Sequence, residues 1–314
     1  MLHLRLITPA DRTDDVVRLI ESTVGTTHLV VLTGVARDPV GDVVMCDVAR
    51  EAGDELIGAL RESGLDRAGS IAVDNIDLSL SDRADRAEED APGEGADAVL
   101  WEHLADATHE ESTLTVTYVA FLAVATMLAA CGVMLDNAIL IVGAMAVGPE
   151  FGPLAGISTA LVRRAPHLVW RSLWALLAGF AAAMALTAGF SWLLDALGLF
   201  EKSMVEAARP NTAFIWKPDW MSFVVAFLAG IAGTLSLTSA KSGALIGVAI
   251  SVTTVPAAAN AAVAFSYRDY SQTWGSSWQL LANLGGIVAA GTLTLLAQKA
   301  FWAWQRERAT AQLT

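Results

Sequence analysis

Residues 170–178 read WRSLWALLA, and residues 274–282 read WGSSWQLLA. Six of the nine positions match at an offset of 104, both tryptophans among them. Working outward, Ala120-Phe121-Leu122-Ala123 returns as Ala226-Phe227-Leu228-Ala229 at an offset of 106. Leu140, Ile141, Ala144 and Val147 return as Leu245, Ile246, Ala249 and Val252 at an offset of 105. Apolar strings match easily by chance, but three segments that share nearly one offset mark an internal duplication. The duplicated region is apolar almost throughout. Six segments, at approximately 114–134, 138–161, 170–194, 221–239, 243–265 and 279–300, each come near the ~20 residues needed to cross a bilayer. Each repeat therefore holds three spans. Three is odd, so the second repeat enters the membrane from the opposite side, which is an inverted-topology repeat. The expected fold class is an α-helical polytopic membrane protein, six spans as a 3+3 inverted repeat, with repeat 1 at 113–207 and repeat 2 at 208–314.

The second span of each repeat is interrupted. The first contains Gly143-Ala-Met-Ala-Val-Gly148-Pro149-Glu150-Phe151-Gly152-Pro153, where two prolines and three glycines within eleven residues remove helix donors and loosen the backbone. The second contains Ser251-Val-Thr253-Thr254-Val-Pro256, followed by Asn260. Backbone groups freed at that depth must be buried in protein or line a wet cavity, and matched interruptions in two halves point to a substrate site. The candidate pathway residues are Gly148, Pro149, Glu150, Gly152, Pro153, Thr253, Thr254, Pro256 and Asn260. Glu150 is the ionisable member. A carboxylate there needs water, a partner or a bound proton, so it reads either as a cation or proton site or as a cap on backbone amides freed by the break. Asp136-Asn137 and Lys241-Ser242 occupy equivalent loop positions and read as helix caps.

Charge separates the chain into two parts. Residues 1–112 carry 9 Arg/Lys against 25 Asp/Glu, a net of -16, while residues 113–314 carry a net of +3. An acidic front argues against nucleic-acid binding, which needs a basic face. Basic residues at the segment ends are uneven. Arg163, Arg164, Arg171, Lys241, Lys299, Arg306 and Arg308 share the side of the N-terminus, while Lys202, Arg209, Lys217 and Arg268 fall opposite. The excess predicts a multi-pass protein of the inner (cell) membrane with both termini cytoplasmic. A start of Met1-Leu-His-Leu-Arg-Leu-Ile-Thr-Pro without a basic n-region and long h-region reads as no signal peptide. Cys46 and Cys131 are expected to be unpaired thiols.

Within the front, residues 2–8 alternate like a strand, and residues 13–24 place Val16, Val17, Leu19, Ile20 and Val24 on one helix face, with Thr13 as N-cap and Gly25 as stop. Residues 27–35 and 41–48 are strand-like runs around a turn at Arg37-Asp38-Pro39, residues 53–63 form a second helix ending at Gly64, and residues 69–80 form a last strand. The order βαββαβ predicts a ferredoxin-like domain over 1–80, serving either in assembly or in ligand sensing. Residues 81–97 are acidic and free of aromatics, and read as a flexible linker. Residues 98–112 read as an amphipathic juxtamembrane helix with Val99, Leu100, Leu104 and Ala107 on one side and Trp101 as an interfacial anchor. Glu102, Asp106 and His109 share helical spacing there, and we read them as a solvated polar face rather than a metal site.

The segment from Asp136-Asn137 through Ile141-Val142-Gly143-Ala144-Met145 to Pro149 and Gly152-Pro153 resembles a bacterial family of uncharacterised hydrophobic membrane proteins, catalogued as domain of unknown function 389. Ser242-Gly243-Ala244-Leu245-Ile246-Gly247-Val248-Ala249-Ile250 through Val255-Pro256 is similar to that family's second signature. Together they cover roughly residues 113–265. The chain differs from the family in placing Glu150-Phe151 between the first prolines and Pro256-Ala257 where a double proline is usual. The resemblance implies a membrane fold with a cytoplasmic N-terminal part, and no substrate.

No catalytic constellation, phosphate-binding glycine loop or metal-ligand spacing is visible in the apolar body, so an enzyme is not expected, nor a metal or other cofactor. The expected function is a transporter or channel for a small solute or ion with a cytoplasmic regulatory domain. The alternative is a membrane-anchored sensor or scaffold without transport. The Gly/Ala-rich helices permit close contacts, and a homo-oligomer in the lipid bilayer is the expected assembly.

Overall fold

A computed structural model describes residues 1–76, 78–91, 99–217, 219–239 and 253–312. The chain divides into two compact units, one comprising 1–103 with 238–240 and 299–314, the other 104–237 with 241–298.

The front unit begins with β1 (Leu2–Thr8), α1 (Thr13–Ser22), β2 (Thr26–Arg37), β3 (Val40–Val48), α2 (Arg50–Glu62), α3 (Leu65–Ala68) and β4 (Ser70–Asn75). The four strands form one antiparallel sheet in the order β2-β3-β1-β4. Period-two alternation puts Leu2, Leu4 and Leu6 opposite Val48, Cys46 and Val44 on one face. That face is covered by Val16 and Ile20 of α1 and Leu56 and Leu60 of α2, all buried. Cys46 is unpaired in this core, where burial, and after it the charge of Asp47, pushes its thiol up to about 12, which keeps it protonated and unreactive.

Several local expectations are corrected. Helix α1 ends at Ser22, two residues before the exposed Val24. Thr13 is not its N-cap: Arg12 holds that position without a side-chain cap bond. The Thr13 hydroxyl instead donates to Asp42 Oδ2 at 2.7 Å, and the Gly34 amide donates to Asp42 Oδ1 at 2.7 Å. The last strand is shorter than 69–80 and stops at Asn75. The acidic segment after it contains a helix, α4 (Asp82–Asp90), with the Ser81 hydroxyl accepting from the Arg83 amide at 3.3 Å. Helix α4 packs on β2 and β3 and buries Ala84 and Ala87. These two alanines, three apart, form a stripe too narrow to register in an otherwise charged composition. The rest of the expected linker, 92–97, lies outside the described residues. In α5 (Trp101–Glu111), Leu104 is buried, as are Val99 and Leu100 just before it, while the side chains of Glu102 and Ala107 lie outside those described.

The Thr13–Asp42–Gly34 bridge yields a first prediction. The Thr13 hydroxyl, and after it the Gly34 amide, hold the Asp42 carboxyl below the usual carboxylate range. Its contribution to stability is therefore complete at neutral pH and fades as pH falls through the lowered folded-state value. Hydrogen exchange on the full chain should show faster opening of α1 and of the 30–44 hairpin in Asp42→Asn, and convergence of the two proteins in strong acid. Equal exchange at neutral pH would contradict the bridge.

In the second unit, α6 (Val116–Met134), α9 (Pro166–Ala196), α11 (Trp220–Thr238) and α13 (Tyr270–Gln312) are four helices long and apolar enough to cross a membrane. Exposed apolar side chains on α9, among them Trp170, Trp174 and Leu177, suit a lipid surround. The shorter elements are α7 (Ala138–Met145), α8 (Phe151–Arg163), α10 (Lys202–Glu206), a 3₁₀ turn at Ala213–Ile215, and α12 (Thr254–Ser266). The second expected span is thus two helices of 8 and 13 residues, about 12 and 20 Å long at 1.5 Å per residue, each short of the ~30 Å hydrocarbon core. Of the fifth, only the part from residue 253 is described. The last helix starts at Tyr270, nine residues before the expected 279.

Element positions recur through this unit. Helices α6 and α11 have 19 residues each and start 104 apart, at 116 and 220. Helices α8 and α12 have 13 each and start 103 apart, at 151 and 254. Helices α9 and α13 start 104 apart, at 166 and 270. Pro153 and Pro256 are each the third residue of their helix, where a missing N–H costs nothing because first-turn amides have no intrahelical partner. The exits match too. Arg164 and Arg268 are both left-handed, at φ 56° and 62°. The next amides, Ala165 and Asp269, return to Ala160 and Ala264 carbonyls, both at 2.9 Å. Helix α12 is buried on all sides from Thr254 to Ala264, and α8 nearly so from Gly152 to Val162. The two proline-led helices are therefore the centre of the unit, and their Ala/Gly content permits that close packing.

Candidate functional site

The loop from Ala146 to Glu150 joins α7 to α8 and ends on a buried carboxylate, with Glu150 only 5% exposed. Its Oε1 accepts from the Thr254 hydroxyl at 2.6 Å, so the start of α8 and the start of α12 are joined across 104 residues. Its Oε2 is buried with no hydrogen-bond partner among the described residues. Glu150 occupies the N-cap position of α8 but makes no side-chain cap bond; the reading of it as a cap on freed amides is corrected, because the side chain is turned to α12 instead.

Gly148 makes this packing possible. A Cβ there would collide with Glu150 Oε2 and stand 2.7 Å from Val255 Cγ2. Gly148→Ala should therefore cost about 1–3 kcal/mol through overpacking. Gly143→Ala, where a Cβ meets nothing within 4 Å, should be neutral or slightly stabilising within helix α7. Unfolding of the detergent-solubilised variants compares the two; equal stability would contradict the close approach.

The other expected pathway residues divide into groups. Pro149 and Gly152 lie with Gly148 on the wall of a cavity of about 430 Å³, which Glu110, Glu111 and Tyr118 also line. Gly152 admits Glu111: a Cβ on it would lie 2.6 Å from Glu111 Cβ and 2.7 Å from Glu111 Oε2. Burial, and after it the charge of Glu110, pushes the Glu111 carboxyl above its ordinary value. Pro153 and Pro256 are buried in the first turns of α8 and α12. Thr253 stands just before α12, where its hydroxyl accepts from Asn283 Nδ2 at 3.0 Å.

Asn260 is not part of the Glu150 cluster. It belongs to a second buried network further along α12, where Asn260 Oδ1 accepts from Arg209 Nη1 at 3.1 Å and Asn260 Nδ2 donates to the Ser276 hydroxyl at 2.7 Å. Arg209 Nη2 also donates to Gln272 Oε1. Arg209, counted from sequence among the basic residues opposite the N-terminus, is 6% exposed, drawn inward by two amide oxygens. Gln272, Ser276, Gln279 and Asn283 are all buried on α13. Their spacing of 4, 3 and 4 makes one polar stripe, and it faces the start and middle of α12. None of these four, nor Tyr118, was singled out from sequence.

At the ends of the unit, Asn137 is the N-cap of α7, accepting from the Ile139 and Leu140 amides at 3.0 and 3.1 Å. Asp136 is not a cap. It accepts from the Thr212 hydroxyl at 2.9 Å and from Asn211 Nδ2 at 3.0 Å, fastening the 207–212 loop. His109 accepts from Arg171, which also donates to Thr113. The Lys241-Ser242 pair and the second signature through residue 252 lie outside the described residues.

Four membrane-length helices around two short, buried, proline-led ones have the composition and architecture of a membrane-embedded protein. Residues 145–289 match the model of the family described as Domain of unknown function (DUF389), which supports the membership that the two signatures implied. The matched span includes Glu150, both proline-led helices and the polar stripe of α13. No curated protein and no solved structure matches the chain.

Proposed function

We propose that this protein is a transporter or channel for a small solute or ion, with its pathway at the junction of α8 and α12 and with the front unit regulating it. The observation that carries the reading is Glu150: a buried carboxylate with one oxygen unpaired among the described residues, joined to Thr254 at the point where two equivalent helix starts meet. An ionisable group at such a depth is a functional candidate by default. Its position between matched, proline-bearing segments is the design that alternating-access proteins use.

The recurrence of helix starts at 104, 103 and 104 residues supports the 3+3 inverted repeat, with α7 and α8 together making one broken crossing. In this reading both termini are cytoplasmic, the membrane is the inner (cell) membrane, and the chain assembles as a homo-oligomer. It performs no catalysis and carries no metal.

Reconstitution tests it. Liposomes containing the purified protein and a trapped pH-sensitive or Na⁺-sensitive dye should collapse an imposed H⁺ or Na⁺ gradient faster than protein-free liposomes. Rates equal to those of protein-free liposomes for both ions and for small organic solutes would favour the alternative, a membrane-anchored sensor or scaffold.

A further inference from the structure

We propose that the cavity beside the first break is a recognition site for a small organic ammonium ion. The proposal deepens the transport reading by naming its substrate class, and it rests on that reading only for the site's place on a pathway.

Size sets the first limit. About 430 Å³ lies in the range of small-molecule sites and far above what a bare ion fills. The walls set the second. Glu110 and Glu111, at the end of α5, supply two carboxylates, and Tyr118, Phe121 and Phe151 supply aromatic surface. Carboxylates satisfy the N–H donors and the charge of an ammonium group, while aromatic faces attract its cationic carbons. The same walls repel an anion. They also suit a metal ion poorly: hard cations need six or more oxygens, and among the described residues no group of three His, Cys, Asp or Glu is placed to hold one.

Two orphaned oxygens lie behind the cavity wall. The Tyr118 hydroxyl, on a residue only 6% exposed that lines the cavity, has no hydrogen-bond partner among the described residues. Neither does Glu150 Oε2, which stands directly behind Gly148, a wall of the same cavity. Both atoms are closed off from the cavity, so neither takes part in holding the ammonium ion, which is left to the Glu110 and Glu111 carboxylates and the aromatic walls. Arg171 lies close by, but its guanidinium is engaged by His109 and by Thr113, and the two wall carboxylates against one guanidinium leave room for a further cation.

The test is calorimetric titration of the full-length protein in detergent with phenethylammonium chloride, with 2-phenylethanol as its uncharged counterpart and sodium chloride as the inorganic one. The amine should bind saturably and the alcohol should not. The double variant Glu110→Gln, Glu111→Gln should weaken amine binding by about tenfold or more. Tyr118→Phe, which keeps the aromatic wall and removes only the enclosed hydroxyl, should leave amine binding unchanged. Equal binding of amine and alcohol, sodium binding in place of the amine, or an undiminished affinity in the double variant would each overturn the proposal. Amine binding without flux of the amine or of ions in proteoliposomes would instead overturn the transport reading and leave the site standing; ion flux without amine binding would do the reverse.

Discussion

Glu150→Gln is expected to lower ion flux in proteoliposomes by about tenfold or more while leaving fold and assembly intact. The magnitude corresponds to removing one charge–ligand interaction worth at least about 1.4 kcal/mol. Glutamine has nearly the shape of glutamate, and its amide oxygen can still accept from the Thr254 hydroxyl, which now bonds Oε1 at 2.6 Å. What it cannot do is carry a proton or balance a cation. Glu150→Ala removes the Thr254 bond as well and opens a void against α12, so it should also destabilise the protein, by about 1–3 kcal/mol. If Glu150 only fastened α8 to α12, the two variants would separate differently: flux would survive in Gln and fall in Ala in step with stability. Flux unchanged in both would remove Glu150 from the pathway.

Arg209→Ala should produce the largest loss of stability in the helical unit, about 2–5 kcal/mol. It strips the donor from two buried amide oxygens at once, those of Asn260 and Gln272, and each buried acceptor left unpaired costs about 1–3 kcal/mol. Gln272 Nε2 also donates to the Val205 carbonyl at 3.3 Å, so the effect reaches the loop that carries Arg209. Arg209→Lys should recover only part of the loss, because an ammonium group lacks the planar fork that reaches both oxygens. Unfolding of the detergent-solubilised variants by denaturant measures this, and a loss below about 0.5 kcal/mol for Arg209→Ala would contradict a structural role for the network.

How much of this was legible in the sequence depended on whether the signal was local. Strand alternation at Leu2, Leu4 and Leu6 is a period-two pattern set by neighbours in the chain, and the strand formed as expected. The prolines at 153 and 256 and the repeated Trp pairs are chemically conspicuous, and they fall on helices whose starts repeat at almost one offset. Glu150 and Thr254 stand among the same candidate pathway residues in the sequence, and the bond between them joins the two breaks. Features decided by tertiary partners were hidden. Arg209 looks like any loop cation until two amides enclose it. Asn260 sits beside the second break in sequence, yet it points to Ser276 and Arg209. Thr13 has the composition of a cap but is captured by Asp42, a partner supplied by the hairpin. The stripe of Gln272, Ser276, Gln279 and Asn283 was readable in principle from its helical spacing. It was masked by the long apolar run around it, where attention falls on hydropathy rather than on which face the few amides share.

The central claim is that two equivalent halves enter the membrane from opposite sides and meet at Glu150, and sided labelling tests it most directly. His167 and Ser271 are equivalent positions, 104 apart, both exposed just inside the starts of α9 and α13. With Cys46 and Cys131 replaced, a single cysteine at 167 should resist an impermeant thiol reagent in intact cells and react only after permeabilisation. A single cysteine at 271 should react in intact cells. Reaction of both positions from the same side would contradict the inverted architecture, and with it the pathway built on Glu150.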